Sequence, residues 1–429
     1  MINKYKFPLN TFSVCLILTT TIIQSLSWAF WETGLGMLTS TFLSWTLIFI
    51  LIYIILKYWH NSPINIRNNE KKIYNLWLII LITGILRGIL IIENYWDVKS
   101  LLQSIFDLSI PFMAIVFSSK NICQLFIKKW LKIATPLFLI TLVIGGAQGA
   151  THFSYSIFLF LTIFVCILPK KLALLIAFIS VYMLSFYITD RAQGLKAATS
   201  IILAIVWKYR YQVKTSLLGI ANWGIWIGTI ILIILFVTGT YNIFAESAEK
   251  DQGKYTTEIK KADGSIGIED ASADTRTAIY ESVIKSANEN HYIIFGRTPA
   301  RGNDGSYFGD EIVEITGRSE RLKNEVCFPN IFTWLGITGM IIYILFYFQA
   351  FRLALFKSQS KTMKILACFI SFHFFLGWIE DNNRWDNNNV VIWMVLGMCL
   401  SNEFRNMTDN EFKTWIINCL PTKILGIKL

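Results

Sequence analysis

The feature that most constrains this chain is a succession of membrane-length apolar runs, interrupted once by a long polar stretch. A helix rises about 1.5 Å per residue and bilayer hydrocarbon is about 30 Å thick, so an apolar run of about 18 residues reads as a crossing. About twelve runs approach that standard: 11–29, 36–58, 73–92, 100–117, 131–149, 153–168, 172–188, 197–207, 217–237, 327–350, 363–377 and 390–400. Charged residues make up 16% of the chain, well below the roughly 25% of soluble domains. The expected fold class is all-α, a polytopic integral membrane protein forming a single transmembrane domain over residues 1–429. One large loop, residues 239–325, is embedded between the ninth and tenth helices.

The basic residues set the orientation. Lys57, Arg67, Lys71 and Lys72 follow the second run, and Lys120, Lys128, Lys129 and Lys132 follow the fourth. Lys170 and Lys171 follow the sixth, Lys208, Arg210 and Lys214 the eighth, and Arg352, Lys357, Lys361 and Lys364 the tenth. The other short connections lack Lys and Arg. The positive-inside rule then puts both termini in the cytoplasm and the large loop on the far side. The first run carries no small-residue cleavage site after it and is expected to stay as a helix. The net charge of +11 is thus mainly a topology signal, and its dispersal over short loops argues against a nucleic-acid partner. The segment 121–131 (NICQLFIKKWL) spaces apolar and basic residues as an interfacial helix would, flat on the inner membrane surface.

The seven cysteines are scattered, and Cys327 alone lies near the far face, so no disulfide is expected there. With no CxxC, HExxH, phosphate-binding loop or dinucleotide fingerprint, neither a metal nor another cofactor is expected.

The far-side loop concentrates arginine: Arg276, Arg297, Arg301, Arg318 and Arg321. Guanidinium presents a planar fork of donors that matches phosphate oxygens and stays charged at any working pH. Arg276 opens an amphipathic stretch, 274–287, in which Ile279, Val283 and Ile284 share a face. Arg297 and Arg301 flank the Pro299 turn without adjacent carboxylates. Arg191 sits in the turn between the seventh and eighth helices, as an anion clamp or as a partner of Asp190. Arg87 lies inside the third apolar run, where an ionisable group is either functional or snorkels to the interface. Diphosphate-linked lipids suit such a face, because they carry two or more charges at headgroup level.

Two candidates stand out for proton transfer. Glu325 marks the re-entry of the loop into the membrane, as a general base if buried or a helix-terminal acid stabilised by the dipole. His291 is the loop's one histidine. Glu380, Asp381, Arg384 and Asp386 form a further polar group between the eleventh and twelfth helices, facing the same cavity or simply solvated.

Three motifs then occur in order. They are Asp190-Arg191-Ala192-Gln193-Gly194; Asp274-Thr275-Arg276 with Ile279-Tyr280 and then Ile294-Phe295-Gly296-Arg297; and Glu325-Val326 with Asn330 and Gly336-Ile337-Thr338-Gly339. In these the chain resembles the O-antigen polymerase/ligase superfamily, GT-C class membrane glycosyltransferases. The resemblance covers most of the chain by topology, with its motifs in about a third of it. It implies a metal-independent glycosyltransferase of the bacterial inner membrane, with its active face in the periplasm and an undecaprenyl-diphosphate-linked glycan as donor. Arg191, Arg276, Arg297, Arg301, Arg87 and Tyr280 would bind substrate, and Glu325 or His291 would act as base. In the ligases a histidine stands where this chain has Glu325. That departure, with the stretch 296–302, favours polymerisation of O-antigen or capsule repeat units over ligation to lipid A core. A chain-length regulator protein is a further partner of such polymerases. A polysaccharide or lipid transporter is the alternative of another class, and it should show broken helices with charges at the midplane.

Overall fold

The computed structural model describes residues 45–56, 68–185, 191–245, 275–305 and 316–424, the segments 256–260, 266–270 and 427–428, and isolated positions elsewhere. The first apolar run, the turn residues Thr189 and Asp190, and Asp274 lie outside the described residues.

The described chain is all-α apart from three two-stranded pairings. In chain order the helices are α1 (Trp45–Leu56), α2 (Asn68–Ile89), α3 (Tyr95–Ser109), α4 (Lys120–Thr162), α5 (Lys170–Ser185), α6 (Arg191–Lys208), α7 (Thr215–Val237), α8 (Thr275–Glu289), α9 (Cys327–Phe356), α10 (Lys361–Leu376), α11 (Asn387–Leu400) and α12 (Asp409–Asn418). Among the described residues four segments are long and apolar enough to cross a membrane: Glu70–Ile89, Tyr95–Val116, Thr215–Val237 and Cys327–Phe356. The other apolar runs form shorter helices, lie within the long helical stretch α4, or fall outside the described residues.

α11 is the centre. It is apolar on every side, and all its residues from Asn387 to Leu400 are buried, as a helix with no polar face must be. α4, α9 and α10 surround it. Gly397 lies against the Ala114 backbone so closely that a Cβ would overlap its carbonyl. α2 and α9 run antiparallel in a fixed register. Gln349 donates to Glu70 at one end (3.0 Å), Tyr74 meets Phe346 and Trp77 meets Tyr343 along the middle, and Gly84 receives Leu335 at the other.

α7 shows how an apolar helix is tied on one side only. Leu218, Asn222, Trp226 and Thr229, a helical stripe, are buried, while Ile220, Ile227, Ile231 and Ile234 on other faces are exposed. Asn222 and Trp226 reach across to Cys368 and Ser371 of α10, and the Trp226 ring stacks on Phe374. Short polar side chains hydrogen-bonding between otherwise apolar helices are the usual ties between membrane helices.

The fifth run and most of the sixth fall within the helical stretch α4. Trp130 packs on Phe158 with ring centroids 5.0 Å apart, so the chain reverses between them, as two runs joined by a short connection require. Two sequence expectations change. The segment 121–131 does not lie on a lipid surface: Ile122, Phe126, Ile127 and Trp130 are buried, and the Trp130 indole donates to Asn387 of α11 (3.0 Å). Its amphipathic face is satisfied by protein. The polar start of the loop also has structure, an antiparallel hairpin of β1 (Thr256–Lys260) and β2 (Ile266–Asp270). The Asp263-Gly264 pair between two alternating segments is the sequence signal for it.

Candidate functional site

The amphipathic stretch of the loop forms α8, and it docks through Ile279 and Val283 against Val326 at the start of α9. Arg276 sits in its first turn and donates to the Thr275 hydroxyl (3.1 Å). The chain returns to the membrane region through an extended segment in which Arg321, Lys323 and Glu325 alternate with inward Asn324. Asn330 pins that segment. Its side-chain oxygen accepts from the Asn324 N–H (2.6 Å) and its amide donates to the Asn324 carbonyl (2.9 Å). Asn324 in turn donates to Asn303, which donates to Ser282 of α8. A chain of asparagines thus holds the segment beside the helix.

The consequence is that Arg321 lies near Arg276. Arg321 pairs with Glu325 at 3.5 Å. Burial holds its guanidinium below the ordinary value and the Arg276 charge adds to that effect, with Glu325 opposing. Like charges held together at a partly buried place are suited to an anion. Glu325 itself is 62% exposed. The burial anticipated for a general base is absent, but the carboxylate is open to a substrate hydroxyl.

Below α8 lies an apolar groove of about 200 Å³, lined by Phe236 of α7, Tyr280 and Ile284 of α8, Phe332 and Met340 of α9, and Trp378 after α10. Tyr280 is one helical turn from Arg276 and donates to the Trp378 carbonyl (2.7 Å). Burial pushes its phenol well up, so it is a neutral donor. The groove therefore begins one helical turn from Arg276.

The other arginines are committed elsewhere. Arg297 donates to the Gly302 carbonyl (2.9 Å), to Asp304 (2.8 Å) and to Glu320 (3.1 Å). Arg301 grips both oxygens of the same Glu320. Asp304 is close in sequence, but Glu320 is supplied by the fold, since β3 (Asn303–Asp304) and β4 (Glu320–Arg321) pair antiparallel and bring it back. Arg318 pairs with Glu93 and Asp97. Arg87 does not snorkel; it donates to the carbonyls of Phe295 (2.7 Å) and Gly296 (2.9 Å). Arg191 is the first residue of α6, and its side chain lies outside the described residues. His291 is exposed in the turn after α8, with a left-handed backbone (φ 53°), and makes none of these contacts.

Sequence reasoning found the neighbouring 380–386 group but missed its partners Asp107, Lys196 and Lys323. Lys323 bridges Asp107 of α3 (2.6 Å) and Asp381 (3.0 Å). Arg384 adjoins Asp381 and Asp386, and Lys196 of α6 pairs with Glu380. Burial alone would lower the Lys323 ammonium, but Asp107 and Asp381 more than reverse it. Burial raises Asp386, with Arg384 opposing. The 380–386 group is therefore neither simply solvated nor isolated: Asp381 and Asp386 are buried, and Lys323 pairs with Asp381. A signal existed, because Asp107 stands inside an apolar run and Lys196 at the edge of one, where a charge needs a partner.

Comparison of the chain with known protein families, curated proteins and solved structures finds no match.

Proposed function

We propose that this chain is a metal-independent glycosyltransferase of the bacterial inner membrane that polymerises undecaprenyl-diphosphate-linked oligosaccharide repeat units at the periplasmic face. The observation that carries the reading is an apolar groove beginning at Tyr280, one helical turn from Arg276, whose charge bears on Arg321. A lipid diphosphate has that division of chemistry, two phosphates on a long hydrocarbon chain. The motif resemblance and the alternating lysine clusters supply the reaction and the side of the membrane.

In the reaction an acceptor sugar hydroxyl attacks the anomeric carbon of the donor glycan. The C–O bond to the diphosphate breaks and the lipid diphosphate leaves with the bonding pair. Arg276 and Arg321 would neutralise the charge that develops on the leaving group, an electrostatic effect often worth more than any other single catalytic term. Glu325 would accept the hydroxyl proton, since it is beside the clamp and open, whereas Asp107 and Asp381 are closed on Lys323. Arg297 and Arg301, fixed by Glu320, would shape the loop around the glycan.

The test is the glycolipid profile of a strain lacking the chain. Single repeat units on lipid A core support the polymerase. Bare core with accumulated lipid-linked polymer means a ligase, and unchanged glycolipids remove the reading.

A further inference from the structure

The segment after α8 does something unusual for a polar loop: it plugs a break in a membrane-length helix. α9 is interrupted at Gly336, whose backbone (φ 68°, ψ −167°) no helix contains. The N–H of Ile337 and the N–H and hydroxyl of Thr338 turn instead to the carbonyls of Ile293 (2.9 Å) and Ile294 (3.3 and 3.0 Å). The Thr333 carbonyl, released on the other side of the break, accepts from the Arg297 N–H (2.7 Å). Gly296 donates back to Tyr292 (2.8 Å), and Arg87 covers Phe295 and Gly296. Every carbonyl of residues 292–296 thus receives a hydrogen bond from within the protein.

The side chains of this same turn point outward. Ile293, Ile294 and Phe295 are 43%, 57% and 64% exposed. Beside them Leu86 and Leu90 of the α2 end and Ile337 and Ile341 of α9 are exposed too, so the tip continues the apolar outer surface of both helices. The level is set by α9. From Ile337 to Phe356 the helix has about 20 residues, or about 30 Å, the thickness of bilayer hydrocarbon. The break therefore falls at the boundary of the hydrocarbon on the loop side. The helical part before it, with Phe328, Ile331, Trp334 and Leu335 buried, lies above that boundary inside protein. Irregular backbone survives at such a level only when its polar groups are satisfied internally. Lipid headgroups offer ester and phosphate oxygens as acceptors but few donors, so carbonyls are the groups the protein must cover.

We infer that Ile293, Ile294 and Phe295 form a re-entrant foot inserted among the acyl chains of the leaflet on the loop side, locked at that depth by Arg87. The occupant of this apolar surface is phospholipid, because the surface is continuous with the faces of α2 and α9 that already need lipid. The foot fixes the height of α8 and of the turn carrying Arg297. The inference rests on α2 and α9 crossing a bilayer and is independent of the reaction proposed above.

The test is photocrosslinking of the full chain in bilayer nanodiscs of phosphatidylethanolamine and phosphatidylglycerol. Benzoylphenylalanine replaces Phe295, Ile341 on the outer face of α9, or Lys285 on α8, and phospholipid adducts are read by mass spectrometry. Adducts at 295 comparable to those at 341, with background at 285, support the foot. Arg87→Ala should then cut the adduct at 295 and leave that at 341. Adducts at 341 but only background at 295 overturn the foot, and background at both overturns the membrane placement on which it stands. Neither readout requires catalysis.

Discussion

Gly296 and Gly336 meet backbone to backbone, each with a left-handed φ (73° and 68°), so that a Cβ on either would overlap main-chain atoms beside the other. Gly296→Ala and Gly336→Ala are each expected to cost well over the ~1 kcal/mol of a strained alanine, because the overlapping atoms are backbone and cannot swing away. Gly219, which has open space around it, is the control. Thermal melting in detergent followed by size exclusion should show a large loss for the first two and little change for Gly219→Ala.

Arg87 ties the same junction. A hydrogen bond from a charged donor contributes about 1.5–3 kcal/mol, and Arg87→Ala removes two while exposing two carbonyls. Arg87→Lys should restore less than half of the loss, since one ammonium cannot reproduce the planar fork. Limited proteolysis of the loop would report it: faster cleavage in Arg87→Ala, intermediate in Arg87→Lys.

Arginines that hold the loop and arginines proposed to take an anion separate by substitution. Glu320 is 6% exposed and holds two guanidinium groups, and removing one partner of a buried ion pair costs about 3–5 kcal/mol. Glu320→Ala should therefore lower the amount of folded protein. Arg276→Ala should leave it unchanged while abolishing polymer in an assay with lipid-linked repeat units. Normal polymer lengths from Arg276→Ala would remove the clamp.

Glu325 and Asp381 should differ in kind. If Glu325 accepts the proton, Glu325→Gln keeps the fold and lowers turnover by about 10²–10⁴-fold. Asp381→Asn instead leaves Lys323 with one carboxylate and should appear first as reduced stability. Full turnover by the glutamine variant would take Glu325 out of the mechanism.

Acid should loosen the loop through Asp304. Burial would raise this carboxyl, but the Arg297 hydrogen bond and charge bring it below the ordinary value, with Asn290 and Ser286 assisting. A group depressed in the folded state stabilises it above the unfolded value, about 3.9, and that contribution is lost as pH falls through the folded value. Loop proteolysis or melting should worsen below about pH 4, and less steeply in Asp304→Asn.

Apolar length and spacing were enough to read an all-helical chain and a loop helix over 274–287, which the structure has at Thr275–Glu289. Those signals are local, since a helix satisfies its own backbone and its burial follows from composition. Arg276 and Tyr280 were legible for the same reason, being one turn apart on that helix. The reversal between Trp130 and Phe158 was legible too, in the short connection 150–152 that separates the fifth and sixth runs.

What only the tertiary structure decided is which charges are committed. The sequence puts only Asp304 near Arg297 and Arg301, yet a two-residue pairing returns Glu320 from about twenty positions away to hold both. Arg87 looked like an intramembrane charge, and it is a clasp for carbonyls more than two hundred residues distant. Asp107, Lys323 and Asp381 come from three separate segments and meet only in the folded protein. A guanidinium or carboxylate has no periodicity of its own. Its partner is fixed by long-range packing, so composition alone located the charges while the fold sorted scaffold from candidate site.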